Sequence, residues 1–173
     1  MKKKAQVREK MLFQLKNFDK AGKMRQTEAV SREFLADEAY LSADSIGLFM
    51  PLDFEFDLNQ LTEKARADGK KILLPKTLPN HKMMFIGADG KLEKTKFGIL
   101  EPVSADEEVP ELIVVPGLAW RADGMRLGFG GGYYDRYLAN FKGQTVSLAY
   151  DFQLTEEFAA DSFDIPIERV IHV

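Results

Sequence analysis

The N-terminal part of the chain has the spacing of amphipathic helices. Apolar residues recur every three or four positions from Val7 to Phe18, which predicts a first helix that ends near Gly22. The same spacing predicts a second helix over residues 27–41, with Thr27 as its N-cap. Two helices therefore precede the first stretch that has the pattern of a strand.

A strand–helix–strand pattern follows these helices. Residues 46–50 form a short apolar run that Pro51 ends, and residues 71–74 form a second run that Pro75 ends. Between them, apolar positions at helical spacing over residues 58–69 predict a helix. Two strands joined through a helix are typical of a parallel sheet.

The second half of the chain continues this pattern less regularly. It predicts hairpin-like strands at 83–86 and 92–97, a buried strand at 112–115, a long loop at 118–129, a short helix at 133–140, and strands at 145–150 and 167–173. Because the strands are apolar with little alternation, we expect an α/β domain whose sheet is covered on both faces. Ligands of such sheets bind beyond the carboxyl ends of the strands, where the segment 118–132 would lie.

The composition excludes several kinds of partner and site. With 173 residues, 45% of them hydrophobic, the chain is long enough for one core. A net charge of −3 gives no electrostatic basis for nucleic-acid binding, and the absence of cysteine excludes thiolate chemistry. The two histidines, His81 and His172, are too few for a histidine-rich metal site. No secretory signal and no apolar run of the ~18 residues that span a membrane is present, so we expect a soluble cytoplasmic protein. We also expect it to be a monomer.

A glycine cluster is the strongest candidate for a ligand site. Four of the thirteen glycines lie within five residues, and an arginine, two tyrosines and an aspartate flank them. Successive N–H groups of such a loop suit phosphate, while the flanking side chains suit phosphate, a flat ring and a metal ion. The cluster consists of Arg126, Gly128, Phe129, Gly130, Gly131, Gly132, Tyr133, Tyr134 and Asp135.

The cluster matches neither of the common nucleotide-binding motifs. A P-loop needs a lysine directly after its last glycine, and none follows Gly132. A dinucleotide-binding motif directly follows the first strand, whereas this cluster follows a late strand and a long loop. Asp135 is therefore interpreted as a magnesium ligand, with a helix-capping carboxylate as the alternative.

Two cations lie on the apolar side of the predicted first helix. Lys4 and Arg8 project within about 40° of each other, in the same sector as Val7, Met11 and Leu15. An unpaired charge on a core-facing side is costly, so each cation needs an anionic partner. That partner is either a bound phosphate or a carboxylate of the protein.

Several acids are candidates for metal or ligand contacts. A metal held by the protein needs a second acid beside Asp135, and spacing does not distinguish Asp151, Asp161 and Asp164. Glu55 follows the first predicted strand. It is either a carboxylate near a helix N-terminus or an acceptor for ligand N–H groups.

Together these features resemble the 5-formyltetrahydrofolate cyclo-ligase family, whose members are also called methenyltetrahydrofolate synthetases. The resemblance runs from Lys4 to the C-terminal strand. Its most specific parts are residues 115–120 and 124–135, and its supporting parts are the Lys4 and Arg8 pair, the Glu55 segment, residues 71–76 and residues 98–102. The resemblance implies one three-layer α/β/α domain over residues 1–173, with a mostly parallel, CoA transferase-like sheet.

The resemblance also implies an ATP- and Mg²⁺-dependent ligase of one-carbon metabolism. Such an enzyme converts 5-formyltetrahydrofolate, with or without a polyglutamate tail, to 5,10-methenyltetrahydrofolate and releases ADP and phosphate. Matched position by position, the residues that would bind ATP and act in catalysis are Lys4, Arg8 and Arg126. The ATP loop would consist of Gly128, Phe129, Gly130, Gly131, Gly132, Tyr133 and Tyr134. The folate would be contacted by Met50, Glu55 and Tyr133, and magnesium would be held by Asp135 and Asp164.

One feature departs from the family pattern. Many relatives have a more basic residue in the glycine loop, where this chain has Phe129 and Gly131. A phosphate contact is therefore expected from Arg136 or from the backbone alone. Two other functions stay open at this point: a non-catalytic protein that binds ATP or folate, and a phosphotransferase that acts on another small acid.

Overall fold

A seven-stranded sheet lies at the centre of the computed structural model, which describes residues 1–173. The strands of the protein are β1 (Ser45–Gly47), β2 (Lys71–Leu78), β3 (Lys82–Gly87), β4 (Leu92–Lys94), β5 (Leu100–Pro102), β6 (Glu107–Glu108), β7 (Leu112–Val114), β8 (Ala119–Trp120), β9 (Arg126–Leu127), β10 (Gln144–Leu148) and β11 (Arg169–Ile171). The central order is β11-β10-β7-β1-β2-β3-β6, and β4–β5 and β8–β9 form two small separate sheets. The first five strands of that order pair in parallel, and β3 and β6 extend the sheet through antiparallel pairs.

Helices cover the two faces of this sheet unequally. They are α1 (Lys4–Lys16), α2 (Lys20–Leu35), α3 (Glu38–Ser42), α4 (Asn59–Ala67) and α5 (Tyr133–Leu138), with one 3-10 turn at Asp151–Gln153. The buried side chains of α1 to α4 belong to a core of 27 residues, whereas α5 packs with a cluster of nine. Leu112 and Val114 of β7 join the larger cluster and Ile113 joins the smaller one, because successive strand residues point to opposite faces. The expected three-layer α/β/α fold with a mostly parallel sheet is confirmed.

None of the five helices combines the length and the apolar composition needed to span a lipid bilayer.

The predicted parallel crossover is confirmed, but its second strand is longer than predicted. β1, α4 and β2 form the crossover, and Ser45 lies opposite Lys71. β2 does not end at Pro75 and continues to pair with β3 as far as Leu78. The pairing with β1 extends only to Leu73, and the backbone nitrogen of residue 75 points to that side. Pro75 therefore removes no hydrogen bond from the sheet.

The helix boundaries near the N-terminus differ from the prediction. α1 ends at Lys16, so Gly22 is not its stop. Gly22 lies in the first turn of α2, where its N–H donates to the Asp19 carboxylate at 2.7 Å. Asp19 is thus the N-cap of α2, which begins at Lys20 rather than at Thr27 and is separated from α3 by a short break.

The segment between β7 and α5 contains a hairpin where the sequence predicted only a loop. β8 and β9 pair antiparallel, with Trp120 opposite Arg126. Gly124 forms the turn at φ +84°, and a Cβ atom there would lie 2.3 Å from the carbonyl oxygen of Ile167. The Gly124 carbonyl in turn accepts a hydrogen bond from the Ile167 N–H at 2.9 Å. This close approach fixes the hairpin, and with it Arg126, against the C-terminal segment.

Candidate active site

The glycine loop lies beyond the carboxyl ends of β1 and β7, at the position the sequence predicted. It follows β9 and leads directly into α5, with Gly132 as the N-cap of that helix. Gly130 and Gly132 have φ angles of +108° and +71°, which side-chain-bearing residues rarely adopt. A Cβ atom on Gly130 would lie 3.6 Å from the guanidinium carbon of Arg8. The loop and the first helix are therefore in contact.

Arg126 holds a positive charge inside the protein beside this loop. The residue is only 6% exposed, and its guanidinium donates to the Pro116 carbonyl at 3.1 Å and approaches the Asp135 carboxylate at 3.4 Å. It lies 5.7 Å from the ring centre of Tyr134, and its Nε has no hydrogen-bond partner. Burial lowers the pKa of Arg126 and outweighs the stabilising charge of Asp135. An anion bound here would relieve that cost.

Tyr134 lies next to Arg126, and its side chain lacks a hydrogen bond within the protein. Its hydroxyl is buried and has no partner in the protein. Burial raises the pKa of this phenol, and the nearby Arg126 charge only partly opposes the shift. The site thus contains two buried polar groups, the Tyr134 hydroxyl and the Arg126 Nε, that the protein leaves unpaired.

Lys4 is paired with protein carboxylates, one of the two alternatives that the sequence left open. Its Nζ lies 2.6 Å from the Asp161 carboxylate and 2.7 Å from the Asp164 carboxylate. Burial alone would lower the pKa of Lys4, but the hydrogen bonds and charges of these two acids raise it. Arg8, one turn later, donates from Nε to the Gly128 carbonyl at 2.8 Å.

Asp135 and Asp164 are joined through the backbone of the C-terminal segment. One oxygen of Asp135 accepts from the Ile165 N–H at 3.2 Å, and the buried carboxylate of Asp164 accepts from the Asp161 N–H at 2.8 Å. Both acids contribute to the field at Arg126. Asp151, the third acid that the sequence offered, is exposed and lies in the 3-10 turn after β10.

Glu55 is a buried acid in the segment that follows β1. It is 8% exposed, and one of its oxygens accepts from the Leu52 N–H at 2.8 Å. Burial raises its pKa, partly offset by that hydrogen bond and by the charge of Lys23. Because α4 begins only at Asn59, Glu55 is not in the first turn of a helix. Its alternative interpretation as a helix-terminal carboxylate is wrong.

Apolar and aromatic side chains surround Glu55. Met50 is half-buried and packs against the larger core cluster. The ring of Phe54 lies 6.4 Å from that of Phe129, a residue of the glycine loop that is 49% exposed. The segment after β1 and the glycine loop therefore lie next to each other.

The structure adds His81, which the sequence considered only as a metal ligand. It lies in the turn between β2 and β3, with its ring centre 5.3 Å from that of Tyr133. No spacing in the sequence links His81 and Tyr133. They come together because α5 packs beside β3. Arg136 also faces the loop, and its guanidinium donates to the carbonyls of Gly131 and Gly132 at 3.3 Å each.

Comparison with known proteins assigns this architecture to a family. The model of the 5-formyltetrahydrofolate cyclo-ligase family matches residues 1–173, the whole length of the chain. The chain belongs to this family. The resemblance inferred from the glycine cluster and the Lys4 and Arg8 pair is thereby confirmed.

Individual cyclo-ligases are similar to this chain in sequence and in fold. The 5-formyltetrahydrofolate cyclo-ligase of Escherichia coli (strain K12) is 31% identical over 141 residues, which cover 75% of this chain and 78% of that protein. The NMR structure of Aquifex aeolicus 5,10-methenyltetrahydrofolate synthetase is 31% identical with a TM-score of 0.84, covering 97% of this chain and 88% of that one. A 5,10-methenyltetrahydrofolate synthetase from Mycoplasma pneumoniae has the same fold, with a TM-score of 0.80 at 22% identity and coverage of 98% of both chains.

The acids of this cyclo-ligase fit a magnesium ion that is shared with a phosphate ligand. No three Asp, Glu or His side chains converge as a preformed metal cage. Magnesium commonly takes only one or two protein carboxylates, and phosphate oxygens and waters complete its octahedron. Asp135 is 16% exposed and has one oxygen engaged only by the long contact to Arg126. Asp164 would supply the second carboxylate through the oxygen that Lys4 and the Asp161 N–H do not bind.

Proposed function

We propose that this protein catalyses the ATP-dependent cyclisation of 5-formyltetrahydrofolate to 5,10-methenyltetrahydrofolate, with release of ADP and phosphate, within a single domain over residues 1–173. The proposal rests on three structural features that lie close together in a member of this family. A helix with two cations, a glycine loop beside a buried arginine, and a buried acid surround one end of the sheet.

The proposed ATP site lies between α1 and the glycine loop. Lys4, Arg8 and Arg126 would bind the phosphates together with the N–H groups of residues 128–134. The unpaired Nε and the lowered pKa of Arg126 support this role, because a bound anion supplies the partner that the protein withholds. Such charge compensation at a buried site is the main contribution that a protein makes to phosphoryl transfer.

The proposed folate site lies on the Glu55 side of the loop. The amino and ring N–H groups of a pterin are donors, and a buried carboxylate is a strong acceptor for them. Glu55 has one oxygen engaged by Leu52 N–H, so its other oxygen supports this role. Met50 and Tyr133 would supply apolar and aromatic contacts to the flat ring.

The proposed reaction needs no protein nucleophile. The formyl oxygen is a poor leaving group, so it first attacks the γ-phosphorus of ATP and the bond to ADP breaks. N10 then attacks the formyl carbon and loses its proton, and the C–O bond breaks to release phosphate. The residues of the chain hold the two substrates in line and exclude water, which favours ring closure through proximity.

Asp135 and Asp164 would hold Mg²⁺ at this site. When bound, the ion supplies positive charge against the phosphate oxygens during transfer. The support for the assignment is the proximity of both acids to Arg126.

The test is an absorbance assay for the methenyl product. Purified protein, 5-formyltetrahydrofolate and Mg-ATP should give product in proportion to the ADP formed, and omission of ATP should abolish it. ATP consumption without methenyl product would instead support a phosphotransferase acting on another acid. Tight binding of both substrates without turnover would support a non-catalytic binding protein. Either result would refute the proposal.

A further inference from the structure

The glycine loop contains no cationic residue, so any charged side chain that binds phosphate there belongs to another element. Within residues 127–134 every side chain is neutral. Arg8 and Arg136 approach the loop, yet each uses N–H groups to donate to loop carbonyls. The Nη groups of Arg8 and the loop N–H groups stay available to a phosphate, but a side-chain donor beside Gly131 has to come from another element.

His81 occupies that side of the loop. A Cβ atom placed on Gly131 would lie 3.9 Å from Nδ1 of His81, so the imidazole stands where a side chain at position 131 would extend. Its ring also lies 5.3 Å from the ring of Tyr133. Neither ring nitrogen has a hydrogen-bond partner within the protein, and a histidine always has at least one N–H to donate.

The backbone that carries His81 is held in an uncommon conformation. Asn80 and His81 have φ angles of +61° and +56°, the only positive values at residues other than glycine. A side-chain-bearing residue adopts such angles at a cost, and glycine in the second position would avoid it. The tight turn between the antiparallel strands β2 and β3 accounts for these angles.

We propose that His81 binds the phosphate groups of the nucleotide held by the glycine loop, and so supplies from the β2–β3 turn a side-chain donor in addition to the loop N–H groups. The assignment rests on the proposed function for the identity of the ligand. It deepens that function by adding a binding residue from an element that carries no other candidate.

The variant that tests this is His81→Gly. Glycine relieves the positive φ, so we expect the melting temperature to stay the same or rise. Loss of the imidazole should weaken ATP binding, measured by calorimetry with Mg-ATP in the absence of folate, by roughly three- to ten-fold. The KM for 5-formyltetrahydrofolate should not change. His81→Gln, which keeps an N–H donor, should recover part of the ATP affinity.

Lys82→Ala is the matched control. Lys82 follows His81 as the first residue of β3, is exposed, and its side chain makes no hydrogen bond or ion pair. Removal of its charge should leave ATP affinity unchanged. If Lys82→Ala and His81→Gly weaken ATP binding equally, the effect is general electrostatics and the proposal is wrong. An unchanged ATP affinity in His81→Gly, or a change confined to folate, would also overturn it.

The outcome for His81 is separable from that for the reaction. A wild-type protein that binds ATP but yields no methenyl product refutes the cyclo-ligase reaction and leaves the calorimetric comparison of His81 variants valid. A wild-type protein that binds no ATP refutes both.

Discussion

The charge of Arg126 is buried, and the other groups of the protein compensate it only weakly. The contact to Asp135 is long, at 3.4 Å, and burial still lowers the pKa of the guanidinium. A buried charge with a weak partner can often be replaced by an apolar side chain of similar size without loss of stability. Stability and activity at this residue are therefore expected to respond in opposite ways.

We predict that Arg126→Met lowers kcat by at least ~100-fold, because a preorganised cation at the phosphate site is lost. The melting temperature should stay the same or rise. Arg121→Met is the control, since Arg121 precedes the same hairpin turn but pairs with Asp123 and Glu156. It should lower the melting temperature and leave kcat intact. Wild-type kcat in Arg126→Met would remove Arg126 from the mechanism.

Glu55 should show a similar conflict between stability and binding, with a dependence on pH. Its pKa in the folded protein is raised above the ordinary 4.5 by burial. The protonated form is thus favoured by folding, and stability falls as pH rises through the folded pKa and the buried carboxyl must ionise. At neutral pH the full cost is present.

We predict that Glu55→Gln raises the melting temperature at pH 7 and has little effect on it at pH 4, where wild-type Glu55 is protonated. Folate affinity at pH 7 should fall roughly ten- to a hundred-fold, because an amide offers a weaker acceptor and a donor that faces other donors. Thermal unfolding at both pH values and folate titration at pH 7 check this. A destabilised variant at pH 7 would mean that the Leu52 contact outweighs the burial cost.

Single residues were predicted well where local sequence determined their role and poorly where the fold determined it. The glycine loop needs its positive φ angles whatever surrounds it, so the sequence identified Gly130 and Gly132. His81 and Asp161 take their places through contacts between elements far apart in the chain. No local pattern distinguished Asp161 from Asp151, yet only the first contacts Lys4.

At the scale of elements, α1 is tied to the C-terminal segment along one side. Lys2 and Lys10 both pair with Glu157, at 2.9 and 3.0 Å, and Lys4 pairs with Asp161 and Asp164. If Lys4 binds phosphate as proposed, it has to exchange or share these carboxylates when the nucleotide arrives. Asp161 then competes with the ligand for Lys4.

We predict that Asp161→Asn strengthens ATP binding by roughly two- to five-fold, the range expected for a half-exposed ion pair. Glu157→Gln is the matched control, because it removes an equal charge from the same segment without a contact to Lys4, and it should leave ATP affinity unchanged. Calorimetry with Mg-ATP measures both. Weaker ATP binding in Asp161→Asn would show that this acid positions Lys4 for the ligand instead of competing for it.

Elements were predictable in kind but not in extent. The β1–α4–β2 crossover followed from its apolar pattern, whereas the end of β2 did not, since it depends on where the neighbouring β1 stops. Glycine often ends helices, so the sequence predicts a helix stop at Gly22. The Asp19 cap shows that it instead begins the next one. The β8–β9 hairpin has strands of two residues each, too short to produce a periodic signal.

At the scale of the whole molecule, the order of the elements and the α/β class followed from the sequence, and the family followed from its motifs. The unequal thickness of the two helical layers did not. Four helices share one face because their apolar sides join a single cluster, which only the assembled sheet defines. The site is also asymmetric, because α1 belongs to the thicker layer and its Arg8 contacts the glycine loop.

The first helix made during synthesis meets its partners last. Arg8 contacts a carbonyl 120 positions later in the chain, and Lys4 contacts a carboxylate 160 positions later. A growing chain on the ribosome thus carries Arg8 without its partner until Gly128 has emerged, and Lys4 without its partners until Asp161 and Asp164 have emerged. Contacts of such long sequence separation also slow folding, because a large loop must close before they form. Incomplete translation products, even those that contain the glycine loop, lack the C-terminal segment that holds α1 in place.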